Sequence, residues 1–383
     1  MNQAVIPNGE HFVSLAVTRS LGKRNINTSV ISRNKYAMSF FSKYCHEKVL
    51  FDTSKDCYSK FSKNDIIMPT NEDVIIELAN NQNNYQYTPA FPEYSVLELA
   101  FDKKKIIDRA IELDIPCPET IFIENDEDFE KKSNQLKLPL VIKPIRGRGG
   151  VGITFVDYSN LLKEIYGESQ KNYGPLIIQE KIPYQERYSV AILMNSDQVM
   201  KRCCVLRAIR FHPIHNGPAS FVETVDKPHL VEMGKTLLQS IGYSGIAEIE
   251  FVIDSRNNEP KLMEINPRFW GSLQGAISAG VDFPYLLFQM ITEGDIEKNL
   301  DYKRGIKTRN VIPYEYQRLR DIILGHYSNK FKLASFLEFL KFYQDDAYFI
   351  FDVHDMKPFF SVFIDTLYRR LEKSKKISTI KSY

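Results

Sequence analysis

Cysteine and tryptophan are scarce in this chain of 383 residues, which has five of the first and one of the second. The cysteines (Cys45, Cys57, Cys117, Cys203 and Cys204) are odd in number and lack C-x-x-C spacing. That excludes a disulfide framework or a zinc site and fits a reducing, cytoplasmic setting. An excess of one charge is also missing. The 50 basic and 48 acidic residues leave a formal charge of +2, so no global field draws the chain to nucleic acid. No window approaches about 18 uninterrupted apolar residues, so no membrane span is expected. The opening MNQAVIPNGEHF has neither the basic start nor the apolar run of a signal peptide. Gly9 stands without a G-x-G-x-x-G pattern, which argues against a dinucleotide site. Pro213 between His212 and His215 argues against a helical metal pair. No Ser/His/Asp or Cys/His pairing is evident, and internal repeats and low-complexity linkers are absent.

What is present is a hydrophobic share of 43% with 12% aromatics, enough for packed cores. At about 100–200 residues per domain, the length suits two or three domains. The first hundred residues read strand, turn, amphipathic helix, strand, with strands expected at Gln3–Pro7, Asn27–Ser32, Lys48–Phe51 and Asp65–Pro69. This order is an open α/β domain with a parallel sheet. Asn71 is the expected cap of a helix to Ala79, and Asp102 that of a helix to Leu113. Lys103, Lys104 and Lys105 crowd the first turn of the latter, the unfavourable end of the helix dipole for a cation. A waiting anion would offset that cost; a solvated basic turn is the plainer alternative.

From Thr120 the pattern becomes short strands around a helix, ending in LPLVIKP and then RGRGGVGI. Lys143 shares a strand face with Val141. The glycines at 147, 149, 150 and 152 allow positive φ and let successive N–H groups, those of Arg148, Gly149, Gly150 and Val151 among them, point at a phosphate. LIIQEKI follows as a buried strand reaching Glu180, Lys181 and Ile182. There the Glu180 carboxylate or a neighbouring carbonyl could accept an adenine amino proton while the Ile182 N–H donates to the ring. Glu186 lies at the reach of ribose hydroxyls. Antiparallel strands are expected at Ser189–Met194 and Val199–Leu206, leading to Arg207 and Arg210.

The stretch YSGIAEIEFVIDSRNNEPKLMEINPRFWGS, Tyr243 to Ser272, organises the rest. Alternation puts Glu248 and Glu250 on one face of a strand and Ile249, Phe251 and Ile253 on the other. In the return strand, period 2 groups Leu262, Glu264 and Asn266. If the strands pair, Glu250 and Glu264 converge with the Asn266 amide just beyond. Hard oxygen ligands on a rigid sheet, few enough to leave room for water and phosphate oxygens, suit Mg²⁺. Arg268 follows, placed to meet an anion. Alone, E-x-N-x-R is equally an ordinary hairpin with one solvated polar face. Beyond residue 300 the chain turns helical, aromatic and basic, ending in Arg369, Arg370, Lys373, Lys375 and Lys376. These segments suit packing on a core or on the partner subunit of a homodimer, with a membrane-surface helix as the alternative.

Taken together, Lys103, LVIKP with Lys143, the glycine run, Glu180 with Glu186, and Glu250 with EINPR resemble the ATP-grasp superfamily in order and spacing over residues 100–295. INPRFWGSLQGAISAGVDFPYLL is most similar to the carbamoyl-phosphate-synthase-like group of carboxylate–amine ligases, although this chain has a single grasp unit. The resemblance implies an ATP-grasp fold of mixed α/β and α+β class. Its parts would be an N-terminal α/β domain over 1–112, a lid over 113–190, a central antiparallel grasp domain over 191–300 and a helical extension over 301–383. It further implies that Lys103 and Lys143 contact ATP phosphates under a mobile loop at 147–152. Glu180, Lys181 and Ile182 would form the adenine hinge with Leu262 nearby, and Glu186 would hold the ribose. Glu250, Glu264 and Asn266 would carry two Mg²⁺ ions, or Mn²⁺, with Asn266 and Arg268 at the chemistry. Arg207, Arg210, Trp270, Gly271 and Ser272 are the candidates for the acceptor pocket. The implied reaction joins a small-molecule carboxylate to an amine or thiol through an acylphosphate. A non-catalytic nucleotide binder, or an enzyme that phosphorylates or adds a carboxylate without ligation, are the alternatives.

Overall fold

The computed structural model describes residues 2–51, 57–81, 86–123, 126–147, 151–214 and 217–366. Arg148, Gly149 and Gly150 of the glycine run, His215, and the basic run from Arg369 to Lys376 lie outside the described residues.

The chain divides into two compact units made of discontinuous stretches. One takes residues 1–91, 268–296 and 306–383; the other takes 92–267 and 297–305. This division differs from four consecutive parts. The helices Tyr94–Phe101 and Lys103–Glu112 belong with the second unit, and the C-terminal extension belongs with the first.

In the first unit, β1 (Gln3–Ile6), β2 (Thr28–Ser32), β3 (Glu47–Leu50), β4 (Asp65–Ile67) and β5 (Thr88–Pro89) form a five-stranded sheet in the order β3-β2-β1-β4-β5. All its pairings are parallel. The apolar runs of β1, β2 and β4 are buried, with Ala4, Val5 and Ile6 fully so, whereas the edge strand β3 is largely exposed. Gly9 turns the chain into the helix Phe12–Gly22, and a Cβ there would meet Val30 Cγ1 at 2.5 Å. Close packing therefore accounts for this glycine without any dinucleotide. Asn71 caps the helix Glu72–Asn80 by accepting from the Asp73 N–H at 2.8 Å. The C-terminal segments add the helices Tyr316–Leu324 and Asn329–Leu340, helical residues 357–366, and a short parallel pair, β15 (Lys307–Arg309) with β16 (Ala347–Tyr348). Among the described residues, no helix is long and apolar enough to cross a membrane.

The second unit holds two antiparallel sheets. β6 (Thr120–Phe122), β7 (Leu140–Pro144), β8 (Thr154–Val156) and β9 (Leu176–Glu180) pair in the order β6-β9-β7-β8 over a core that includes Ile142, Leu176 and Ile178. β10 (Tyr184–Met194), β11 (Met200–Phe211), β12 (Ala219–Thr224), β13 (Gly245–Asp254) and β14 (Pro260–Asn266) run in the order β14-β13-β10-β11-β12. β10 and β11 extend well past the expected Ser189–Met194 and Val199–Leu206. Polar residues such as Arg187, Arg207 and Arg210 interrupt the apolar pattern there, while cross-strand pairing continues through them. The helix Pro228–Ser240 packs on one face of this sheet, where a Cβ on Gly234 would meet Ile192 and Ile249 at 3.2 and 3.3 Å. Because side chains alternate along a strand, the face opposite Ile249 is the one that carries Glu248 and Glu250.

Candidate functional site

The hairpin of β13 and β14 places its polar residues as cross-strand pairs. Glu250 stands opposite Glu264, and Glu248 opposite Asn266. Directly opposed side chains share a face, so three carboxylates and an amide gather on one side of the sheet. Asn266 Nδ2 donates to Glu248 Oε2 at 2.7 Å and reaches Glu264 Oε1 at 3.4 Å. Glu248 is 3% exposed. Alternation in the sequence shows Glu248 on this face, but the ligand set expected there left it out.

A bulge corrects one expectation. The register shifts between Glu250 and Phe251, so Leu262 pairs with Phe251 rather than two places from Glu264 on the same face. Counting by two cannot foresee the extra residue. Leu262 therefore lies on the face away from the carboxylates, 1% exposed, its N–H donating to Pro116 O at 2.8 Å.

Lys143 is the fourth residue of the run LVIKP in β7 and is buried. Burial pushes its ammonium down to about 8; Glu264 pulls it up, Lys103 adds to the depression and Glu250 pulls it up again. These charges place β7, the helix start at Lys103 and the hairpin around one locus. Asp102 caps the helix Lys103–Glu112 by accepting from Lys105 N at 3.1 Å. Lys103 Nζ donates to Gly147 O at 2.8 Å, at the foot of the glycine run. At the far side of that run Gly152 has φ +77°, and a Cβ there would meet Pro144 Cγ at 2.7 Å, so both backbone and space require glycine. Val151 is 63% exposed.

At the end of β9 each oxygen of the Glu180 carboxylate, one of the two acceptors expected for a base, already has a partner within the protein. Oε1 accepts from Glu119 N at 3.0 Å, and Oε2 from Arg256 Nη2 at 2.8 Å. Arg256 also grips the buried Asp254 in the turn of the hairpin. Lys181 N donates to Pro139 O, and its Nζ lies 4.9 Å over the Phe155 ring. Ile182 is buried, and among the described residues its N–H makes no main-chain hydrogen bond. Glu186 Oε2 accepts from Tyr188 OH at 2.9 Å, and Oε1 lies 3.5 Å from Arg207 Nη1. Arg207 also donates to Glu223 at 2.7 Å. An arginine expected in an acceptor pocket is instead tied between two carboxylates of its own sheet. Arg210 lies over the Phe221 ring at 4.4 Å.

Arg268, Trp270, Gly271 and Ser272 fall in the other unit. Arg268 Nη1 donates to Phe269 O at 3.0 Å. Trp270 is 2% exposed and meets Phe283 edge-on with ring centres 5.2 Å apart. Its ring is packed within the core of that unit. Gly271 is exposed and Ser272 buried.

Among the described residues, no group of three or more His, Cys, Asp or Glu forms a complete metal cage. Glu250, Glu264 and Asn266 nonetheless fit a hard cation that draws the rest of its shell from phosphate and water, as Mg²⁺ does. Lys143 and Lys103 beside them fit the phosphates of such a ligand.

The profile described as ATP-grasp domain matches residues 100–272. The D-alanine–D-alanine ligase of Laribacter hongkongensis is 26% identical over 171 residues, 40% of this chain and 51% of that protein. The arginine-specific large chain of carbamoyl phosphate synthase from Geobacillus stearothermophilus is 22% identical over 181 residues, 46% of this chain and 17% of that protein. The chain thus spans from about a sixth to about half the length of these relatives. Among solved structures, N5-carboxyaminoimidazole synthetase from Staphylococcus aureus superposes with a TM-score of 0.67 at 15% identity, covering 84% of this chain and 87% of that one. Residues 100–272 thus match the ATP-grasp domain, and the fold that surrounds them is similar to that of the solved synthetase.

Proposed function

We propose that the protein is an ATP-dependent ligase that joins a carboxylate to an amine through an acylphosphate, converting ATP to ADP and phosphate. The observation that carries this reading is the buried Lys143, whose charge neighbours are Lys103 and the opposed pair Glu250 and Glu264. A lysine so placed is costly in isolation and is stabilised by a polyanion that reaches it. Lys103, Lys143 and the N–H groups of the glycine run bind the phosphate oxygens. Main-chain atoms at Glu180 to Ile182 read the base, and Glu186, steadied by Tyr188 and Arg207, meets the ribose. Mg²⁺ held by Glu250, Glu264 and Asn266, as one ion or two, would supply charge neutralisation at the transferred phosphoryl group. Arg268, two residues beyond Asn266 in the chain, is assigned to the charge that develops on that group.

A carboxylate oxygen attacks the γ-phosphorus and ADP leaves. The amine nitrogen then attacks the acyl carbon, phosphate departs, and the nitrogen loses a proton to solvent. Positioning and charge neutralisation are what this chemistry asks of a protein, and a nucleophilic side chain is not needed.

The similarity to a solved N5-carboxyaminoimidazole synthetase favours a second reading, in which bicarbonate is the acid that is phosphorylated and the product is a carboxylated acceptor. The two share the first step and differ in the acid. Release of ADP and phosphate over pools of amino acids, polyamines and dicarboxylates, with and without bicarbonate, separates them. Release that requires an amine together with an organic acid supports ligation; release that requires bicarbonate supports carboxylation. AMP as the product would overturn both.

A further inference from the structure

The proposed reaction leaves one carboxylate of the hairpin face unused. Glu248 stands opposite Asn266 in the pairing of β13 with β14, and its other strand neighbour is Ala191, which offers it no polar side chain. A carboxylate at 3% exposure is costly unless it is hydrogen-bonded, and here Oε2 accepts from Asn266 Nδ2 at 2.7 Å. A carboxamide has one donating end and one accepting end, whereas a carboxylate only accepts. Turning the Asn266 amide over would press its oxygen against Glu248 Oε2. The same NH₂ group also points at Glu264 Oε1, 3.4 Å away. Both acidic neighbours therefore select one orientation, with Asn266 Oδ1 directed away from Glu248.

We infer that Glu248 is a positioning residue for the metal–nucleotide site, holding Asn266 so that its carbonyl oxygen is the end presented to the cation. The inference rests on the ATP-grasp ligase reading and adds a residue that reading does not use. It depends on acceptor chemistry, so substitutions at 248 differ in kind. In Glu248→Ala the 2.7 Å acceptor of Nδ2 is lost and the amide is held less firmly, with Glu264 Oε1 at 3.4 Å. In Glu248→Gln the side-chain oxygen can still accept, but its NH₂ can equally donate to Oδ1, so the two orientations compete. Asn266→Asp sets a second carboxylate against Glu248. In the double variant Glu248→Gln/Asn266→Asp, the glutamine NH₂ donates to the new carboxylate and the pair is restored with its polarity reversed.

Binding of Mn²⁺ to the full chain in the presence of ADP, followed by electron paramagnetic resonance alongside thermal melting, tests this. Wild type binds. Glu248→Ala binds about 10–100-fold more weakly, the usual effect of removing a partner that orients a ligand. Glu248→Gln falls between the two. The double variant binds about tenfold more tightly than Asn266→Asp alone, a coupling that a merely structural role for Glu248 does not produce. If Glu248→Ala fails to fold, the comparison of Asn266→Asp with the double variant, which keeps side-chain volume, decides. Equal affinities in that comparison, or wild-type affinity in Glu248→Ala, overturn the inference while leaving the ligase reading intact. No Mn²⁺ binding by the wild type overturns the ligase reading and this inference with it.

Discussion

Lys143 shows best how one residue links stability to chemistry. Its ammonium is buried beside Glu264, Lys103 and Glu250, and burial holds it at about 8 against an ordinary 10.5. The unfolded chain therefore binds this proton more readily between about pH 8 and pH 10.5. Stability rises with pH across that window, and the penalty, on the order of 3 kcal/mol, is fully present below about pH 8. Phosphate oxygens favour the charged form, so affinity for ATP should weaken as pH climbs past about 8. Lys143→Met removes the buried charge and keeps most of the volume. The nucleotide-free variant should melt at the wild-type temperature or above it, while Mg–ATP should no longer raise its melting point. A variant still stabilised by Mg–ATP to the wild-type degree would remove Lys143 from the phosphate site. The sequence displayed this lysine only as one member of a strand, LVIKP; its depressed basicity comes from burial in the folded chain, which Glu264, more than a hundred residues away in the chain, partly offsets.

At the scale of elements, the hairpin of β13 and β14 was the most legible part of the chain. Period-2 alternation located both strands, and Arg256, Asn257 and Asn258 marked the turn. The pairing of Glu250 with Glu264 follows directly from that pattern. The bulge that moves Leu262 to the other face does not, because an inserted residue leaves no periodic trace. Nor was the second role of the turn legible. Arg256 joins Asp254 of the hairpin to Glu180 at the end of β9, and Glu119 N completes the shell of that carboxylate. Such a brace links residues remote in sequence, and a lone arginine in a turn reads as solvated. In the proposed reading the brace makes Glu180 a structural acid, with base recognition left to the main chain. Glu180→Ala should therefore lower the melting temperature and raise the KM for ATP, yet leave the preference for ATP over GTP unchanged. Loss of that preference, measured as the ratio of kcat/KM values for the two nucleotides, would return the carboxylate to the base-reading role.

For the whole molecule, nothing in the residue pattern signals that the first unit is assembled from three separate stretches. The parallel sheet was expected from its apolar runs, but the C-terminal extension read as a domain of its own. What ties it in is a buried pair. Arg19 Nε donates to Asp355 at 2.9 Å, with side chains 5% and 2% exposed, and Ser42 Oγ and Lys43 N donate to the same carboxylate at 2.6 and 2.9 Å. Arg19 also donates to the carbonyls of Ile350 and Asp355. Contacts across more than 300 residues of chain have no local signature. Asp355→Asn leaves a buried guanidinium without its counter-charge and should destabilise the first unit by about 3 kcal/mol in urea unfolding. An unchanged midpoint would mean that the extension is held by other contacts.

The central claim is that the molecule activates a carboxylate by phosphorylating it. Once an acid substrate is found by phosphate release, that acid labelled with ¹⁸O in its carboxylate provides the most direct measurement. An acylphosphate route carries one labelled oxygen into the released phosphate, detectable by mass spectrometry, and leaves ADP as the nucleotide product. Phosphate free of label, or AMP in place of ADP, would contradict the account.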